Sequence, residues 1–292
     1  MPQPAQNRVL LGILFMMLAA SIFPVMNGLV QVLSARYPSE QVIWSRTAGH
    51  LLIVLAVLLP RHGPRIVATR RPWLQSARSL LLAASTTFFF FAVKHVPLAK
   101  AAAVSFSGPF IVVLLAWPML GERPRLTRIV SVLVAFLGVL VVIRPGTETF
   151  QPASLLVLGS ATCYALYQIL TRRVAGEDRP ETSVIWSALL GSVLFTLLLP
   201  AVWVAPAGLA DAALLCCLGL LGAAGHYCVA RAMTYAAASV VSPFQYWQIV
   251  GSVLMGWAIT GLWPDGWTWL GAGIIVGAGV WMALVERRRQ GG

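Results

Sequence analysis

Apolar stretches long enough to cross a bilayer follow one another along almost the whole chain, and this leaves few folds open to it. A helix needs about 20 apolar residues to span the ~30 Å hydrocarbon core. Reading the runs between charged or Pro/Gly punctuation gives ten candidate helices, over 9–33, 40–60, 73–93, 98–120, 125–143, 153–173, 181–203, 209–231, 236–262 and 266–285. Only 10% of the 292 residues are charged and 59% are hydrophobic, whereas a soluble domain carries roughly a quarter charged residues. A water-soluble fold of this length would have almost nothing to put on its surface. The first run, Val9 to Val32, is longer than a signal-peptide core and lacks a small-residue cleavage site, so it reads as the first spanning helix. Short linkers make neighbouring helices antiparallel and leave no room for an inserted soluble domain. The expected class is all-α and integral to the membrane.

Lysine and arginine set the orientation. With the N-terminus in the cytoplasm, the inner segments hold Arg8; Arg61, Arg65, Arg70, Arg71 and Arg78; Arg123, Arg125 and Arg128; Arg172, Arg173 and Arg179; Arg231; and Arg287, Arg288 and Arg289. The outer segments hold only Arg36, Lys94, Lys100 and Arg144, and Arg46 falls inside a span. This bias supports an even helix count with both termini cytoplasmic. It also accounts for the net charge of +12 without a nucleic-acid partner; the basic loops suit anionic headgroups of the bilayer instead.

The chain also resembles itself. Val113, Leu114, Trp117, Gly121 and Pro124 recur as Val253, Leu254, Trp257, Gly261 and Pro264, at a constant spacing of 140. Hydropathy divides as five helices plus five, over 9–144 and 152–286. Five is odd, so the second copy must thread the membrane upside down relative to the first. Inverted repeats of this kind enclose a central site at their interface in secondary transporters.

The segments Pro97-Leu98-Ala99-Lys100-Ala101-Ala102, Gly108-Pro109-Phe110, Leu120-Gly121-Glu122-Arg123 and Phe136-Leu137-Gly138-Val139 resemble the EamA type of the drug/metabolite transporter superfamily. So does Ala238-Ser239-Val240-Val241-Ser242-Pro243-Phe244-Gln245-Tyr246 in the second half. In one departure, Leu262 stands opposite Glu122, where second copies often repeat the acidic residue. The resemblance implies a bacterial inner-membrane exporter of small metabolites such as amino acids, and the chain looks most like the aromatic amino acid exporters. It further implies a central cavity lined mainly by helices other than the fifth and tenth.

Polar groups inside spans are costly, so they face a cavity or a partner helix. Arg46 and His50, four apart on the second helix, share a face. They form either an anion-recognition pair for a substrate carboxylate or a structural arginine bonded to a neighbouring helix. Tyr164, Tyr167 and Gln168 on the sixth helix, His226 and Tyr227 on the eighth, Gln245, Tyr246 and Gln248 on the ninth, and Asn27 on the first are the other cavity candidates. Helix–helix hydrogen bonding is the alternative for each. Pro24, Pro109 and Pro243 interrupt spans and serve as hinges for alternating access or as static bends. Gly271, Gly273, Gly277 and Gly279 form a smooth face for close packing or a dimer, so the chain is expected as a monomer or homodimer.

All nine acidic residues fall at span ends or in loops. Ion-coupled carriers generally place a carboxylate at mid-membrane, so the pattern implies a facilitative carrier or one coupled through histidine. Cys163, Cys216, Cys217 and Cys228 and the scattered histidines lack metal-site spacing, and no cofactor is expected. A membrane enzyme would need a convergent acid, base or metal set, and a channel a repeated filter motif; the sequence offers neither.

Overall fold

A computed structural model describes residues 5–120, 126–144, 151–175, 177–235 and 241–290. In it the apolar runs become helices: α1 (Ala5–Ser34), α2 (Ser39–His62), α3 (Pro72–Ala92), α4 (Leu98–Ser105), α5 (Gly108–Leu120), α6 (Leu126–Ile143), α7 (Ala153–Val174), α8 (Pro180–Val202), α9 (Leu209–Tyr235), α10 (Gln248–Thr260) and α11 (Gly266–Gln290). Short 3₁₀ turns cover Pro64–Val67 and Ser242–Trp247. No strand occurs among the described residues. Glu122 lies outside the described residues, as do the side chains of Pro109, Pro243 and Tyr246.

Local chemistry places the helix ends. Helices α3 and α8 start at Pro72 and Pro180, where the missing N–H costs nothing and the fixed φ suits a first turn. Helix α10 stops at Gly261, whose φ of 68° gives a left-handed cap with its N–H donated to the Trp257 carbonyl.

Two runs that read as single spans are interrupted. The run over 98–120 breaks between α4 and α5, where the Phe106 N–H reaches the carbonyls of Ala102 and Ala103 and the chain restarts at Gly108. Pro109 then falls in the first turn of α5, where its lack of a donor is tolerated. In the other half the 3₁₀ turn Ser242–Trp247, which contains Pro243, precedes α10. With α4–α5 counted as one crossing, and the 3₁₀ turn with α10 as another, the described helices make ten membrane crossings.

The packing partners exchange when the halves are exchanged. Helix α1 packs on α9 as α7 packs on α3, and α2 packs on α9 as α8 packs on α3. Contacts of α1 with α10 are mirrored by those of α7 with α5. The pairs α2–α8 and α6–α11 map onto themselves. This is the contact pattern of two inverted five-helix repeats, with α6 and α11 paired off to one side and the other helices gathered around a central cavity.

Close approaches depend on small residues. At the α2–α9 crossing a Cβ on Gly219 would lie 2.6 Å from the Gly49 backbone. At the α6–α11 crossing a Cβ on Gly271 would meet Val142 at 2.4 Å and the Gly138 carbonyl at 2.6 Å. Gly273 and Gly277 have nothing within 4 Å and lie off that seam. Outward faces carry Leu, Val and Trp, as lipid contact requires: Leu197 is 75% and Trp263 60% exposed.

Candidate substrate cavity

A central cavity of about 130 Å³ lies among α1, α2, α3, α4, α5, α7, α9 and the segment leading into α10. No described residue of α6 or α11 contributes to its wall. The structure brings Asn27, Arg46, Tyr164, Gln168, His226, Gln245 and Gln248 together around it, from five separate stretches of chain. Phe23, Phe89, Phe90 and Phe106 supply apolar wall between them. Within the run Phe88–Phe91, Phe88 turns outward while Phe89 and Phe90 face the cavity.

The remaining candidates sit behind this wall or away from it. His50 is buried and its ring stacks parallel on His226, centroids 5.8 Å apart. Tyr167 is buried, stacks on Tyr164 and meets the edge of His226 at 6.0 Å. Tyr227 packs in a separate apolar cluster with Val54, Ile66 and Val184. Pro24 is buried against Gly251, so the proline of α1 is seated on α10.

Arg46 is the chemical centre of the site. Its guanidinium donates from Nη1 to Thr86 Oγ1 at 2.8 Å, contacts His226 Nε2 through Nη2 at 2.6 Å, and lies 5.8 Å from the Phe90 ring centre. Because arginine only donates, His226 Nε2 must accept there, which fixes a neutral imidazole with its proton on Nδ1. That Nδ1, Arg46 Nε and His50 Nε2 are buried without a hydrogen-bond partner among the described residues. No carboxylate pairs with Arg46 among the described residues, although a guanidinium offers five donors in a fork that fits one. The site therefore holds a buried cation whose partners are all neutral. It suits an anionic group delivered from outside the protein, with ring faces alongside for a flat or apolar remainder.

A second buried arginine has a fuller set of partners. Arg78 lies in α3, wholly buried, with donors to Thr171 Oγ1 at 3.0 Å, Ser187 Oγ at 3.2 Å and Gln75 Oε1, and its guanidinium sits 5.1 Å over the Tyr167 ring. Gln75 in turn donates to Asp178 Oδ2 at 2.8 Å, which also accepts from Thr69. This network ties α3, α7 and α8 together at the end of the bundle nearer the chain termini. The positive-inside reading places Arg78 with loop charges, so its burial is not visible there. The spacing of Gln75, Arg78 and Ser79 on one helical face is the signal that could have found it. Thr86 and Phe90, one turn apart on α3, are further wall residues that the polar stripes do not flag.

Cys163, Cys216, Cys217 and Cys228 are free thiols.

Comparison with known proteins gives a consistent outcome. A model of the EamA-like transporter family matches twice, over residues 10–144 and 151–284. A riboflavin transporter of Rhizobium johnstonii is 31% identical over 287 residues, covering 97% of this chain and 94% of that one. An S-adenosylmethionine uptake transporter of Rickettsia felis is 28% identical over 236 residues, covering 81% and 80%. A pseudopaline exporter of Pseudomonas aeruginosa is 28% identical over 278 residues, covering 94% and 97%. A crystal structure of a protein with 23% identity superposes at a TM-score of 0.65 over 97% of this chain and 98% of that one, a likeness of fold. With apolar helices of spanning length, a doubly matched family model and relatives named as transporters, this chain is a multi-pass membrane transporter of small molecules rather than an enzyme, and it belongs to the EamA-like transporter family.

Proposed function

We propose that the protein exports small carboxylate-bearing metabolites, aromatic amino acids foremost, across the bacterial inner membrane by alternating access. The observation that carries this reading is Arg46: a cavity-facing cation with neutral hydrogen-bond partners, set among Tyr164, Phe23, Phe89 and Phe90. A substrate carboxylate takes the remaining donors of the fork, and an aromatic side chain lies against the rings. An ammonium group finds the side-chain carbonyls of Asn27, Gln168, Gln245 and Gln248 and the faces of the rings.

In this proposal the repeats cover 9–144 and 152–286, both termini are cytoplasmic, and rocking about Pro24, Pro109 and Pro243 moves the cavity between the two sides. The buried seat of Pro24 on Gly251 supports a pivot between the halves, since the two residues belong to opposite repeats. No described acidic residue lines the central cavity, which favours facilitated movement down a concentration gradient over ion coupling. A second reading is riboflavin as cargo, favoured by the Rhizobium johnstonii relative that covers 97% of this chain.

Counterflow in proteoliposomes tests the proposal. Vesicles preloaded with one unlabelled compound are offered labelled phenylalanine, tyrosine, tryptophan, leucine, lysine, riboflavin and S-adenosylmethionine in turn. Saturable exchange of the aromatic amino acids is expected; exchange of riboflavin alone selects the second reading. Uphill accumulation under an imposed proton gradient would overturn the facilitative part and direct attention to His50 and His226.

A further inference from the structure

The two ends of the bundle are tied across the repeats by contacts that mirror one another. At one end the α1–α2 loop meets the α8–α9 loop. Arg36 Nη1 donates to Asp211 Oδ1 at 2.9 Å. The Tyr37 hydroxyl donates to Asp211 Oδ2 at 2.6 Å and accepts from the Ala207 backbone N–H at 2.9 Å. Gln41, in the first turn of α2, exchanges two hydrogen bonds with the Val204 backbone, at 2.8 and 2.9 Å. At the other end the α7–α8 loop meets the α2–α3 loop. Arg71 Nε donates to Glu177 Oε2 at 2.7 Å. Asp178 accepts from the Thr69 hydroxyl, from the Arg70 backbone N–H at 3.3 Å and from Gln75 at 2.8 Å. Thr182, in the first turn of α8, donates to the Ile66 carbonyl at 2.8 Å.

The two sets occupy matching positions in the repeats. Glu177, Asp178 and Thr182 stand 141 residues after Arg36, Tyr37 and Gln41, and Asp211 stands 140 after Arg71. The ion pair recurs with its charges exchanged between matching positions. Arg36 and Arg71 are the cations of the first repeat, and Glu177 and Asp211 the acids of the second. Exposed ion pairs alone would hold little. Tyr37, Gln41, Asp211, Gln75 and Thr182 are all buried, however, so much of each set is shielded from water. The sets lie at opposite ends of α2, whose 24 residues span about 36 Å. The central cavity falls between them: Arg46 on α2 and Leu82 on α3 line it, further into the bundle than Gln41 and Gln75, and none of the tying residues does.

We propose that the two sets are alternate latches, one for each side of the membrane, whose relative strength fixes the side to which the resting protein opens. The proposal rests on the alternating access argued above. Opening towards one side parts the loops at that end and breaks their latch, while the latch at the other end holds. A contact made in one state and absent from the other biases the balance between them by its own free energy. Weakening one latch therefore favours opening at its own end, and weakening its mirror image favours the opposite end.

Access to one cavity thiol from the two sides of the membrane tests it. Cys163, Cys216, Cys217 and Cys228 are replaced by Ala, and Ser105→Cys places a thiol in the wall of the central cavity. A membrane-impermeant maleimide is applied to right-side-out and to inside-out vesicles carrying the full-length protein, and the ratio of the two labelling rates is read. Tyr37→Phe removes a hydroxyl from the first latch, and Asp178→Asn a charge from the second. Each is expected to move the ratio by about 2- to 10-fold, the fold-change of one hydrogen bond, and the two in opposite directions. Gln41→Leu and Thr182→Val repeat the comparison if either protein does not fold. Arg71→Glu is expected to move the ratio as Asp178→Asn does, and adding Glu177→Arg to restore it, a rescue that general loosening would not show. Shifts in the same direction, no shift in one of the paired variants, or a charge exchange that restores nothing overturns the proposal. A thiol reached from one side only, in the wild type and in every variant, refutes alternating access itself. One reached from both sides at an unmoved ratio refutes the latches alone.

Discussion

Replacing Arg46 by Gln separates substrate recognition from folding. A charge at mid-bilayer costs about 2.5–3.5 kcal/mol on insertion scales. Its two hydrogen bonds, to Thr86 at 2.8 Å and His226 at 2.6 Å, are charge-assisted bonds to neutral partners. Each returns about 1.5–3 kcal/mol. The cost and the return nearly cancel, so Arg46→Gln is expected to shift stability by only about 1–2 kcal/mol. Transport behaves differently. If the fork receives a substrate carboxylate, losing the charge removes one such bond, or about 1.5–3 kcal/mol, and raises the half-saturation concentration about 10- to 150-fold. The assay is counterflow with an aromatic amino acid and its amide, run beside thermal unfolding monitored by size-exclusion. The wild type is expected to prefer the acid, and the variant to treat acid and amide alike with a nearly unchanged unfolding temperature. A variant that keeps its preference for the acid but unfolds far earlier would refute the reasoning, because Arg46 would then be a strut between α2, α3 and α9.

Gly219→Ala is expected to destabilise the bundle by about 1–3 kcal/mol, since the added Cβ would meet the Gly49 backbone at 2.6 Å. Gly273→Ala, with nothing within 4 Å, is expected to be neutral or slightly stabilising in the same unfolding assay; a shift from dimer to monomer there would show that its face is an interface. Arg78→Ala is expected to abolish folded protein, because Thr171, Ser187 and Gln75 lose their common donor and a buried volume empties; normal yield and melting would refute that structural role. Partial burial raises the Asp265 carboxyl, but hydrogen bonds from the Thr268 hydroxyl and backbone amide, with Arg144 nearby, outweigh it and hold it below the usual 3.8. A depressed carboxyl contributes stability at pH above its unfolded value and loses it as pH falls through the folded one. The melting advantage of wild type over Asp265→Asn is therefore expected to be full at neutral pH and to shrink only below about pH 3.8.

Much of the architecture is legible in the sequence because lipid imposes a simple rule: apolar length gives a crossing, and the basic residues between crossings give its sense. The two broken crossings, at Phe106–Ser107 and Ser242–Trp247, are harder to read. Both breaks lie next to prolines, but a proline marks a bend, a hinge or a harmless first turn according to where the helix restarts. Gly108 settles this for α5 only once the restart is known. The glycine-rich stretch of α11 divides in the same way. Gly271 meets α6 and Gly273 faces open space, because two residues along a helix turn the chain by more than half a revolution.

The polar stripes were legible as residues that lipid would not hold, and seven of them share one cavity wall with Phe23, Phe89 and Phe90. What periodicity cannot distinguish is a lining side chain from one a single layer behind it, as Tyr164 differs from Tyr167 and Arg46 from His50. The two buried arginines carry the same lesson further. Arg46 and Arg78 are the same residue type in adjacent helices. Only their partners separate a cation that a network has consumed from one still able to take a ligand. Three side-chain oxygens, one of them relayed to Asp178, satisfy Arg78; one hydroxyl and one imidazole leave Arg46 with donors to spare. Apart from Gln75, one turn from Arg78, these partners lie 40 to 180 residues away in the chain, so the distinction belongs to packing and not to pattern.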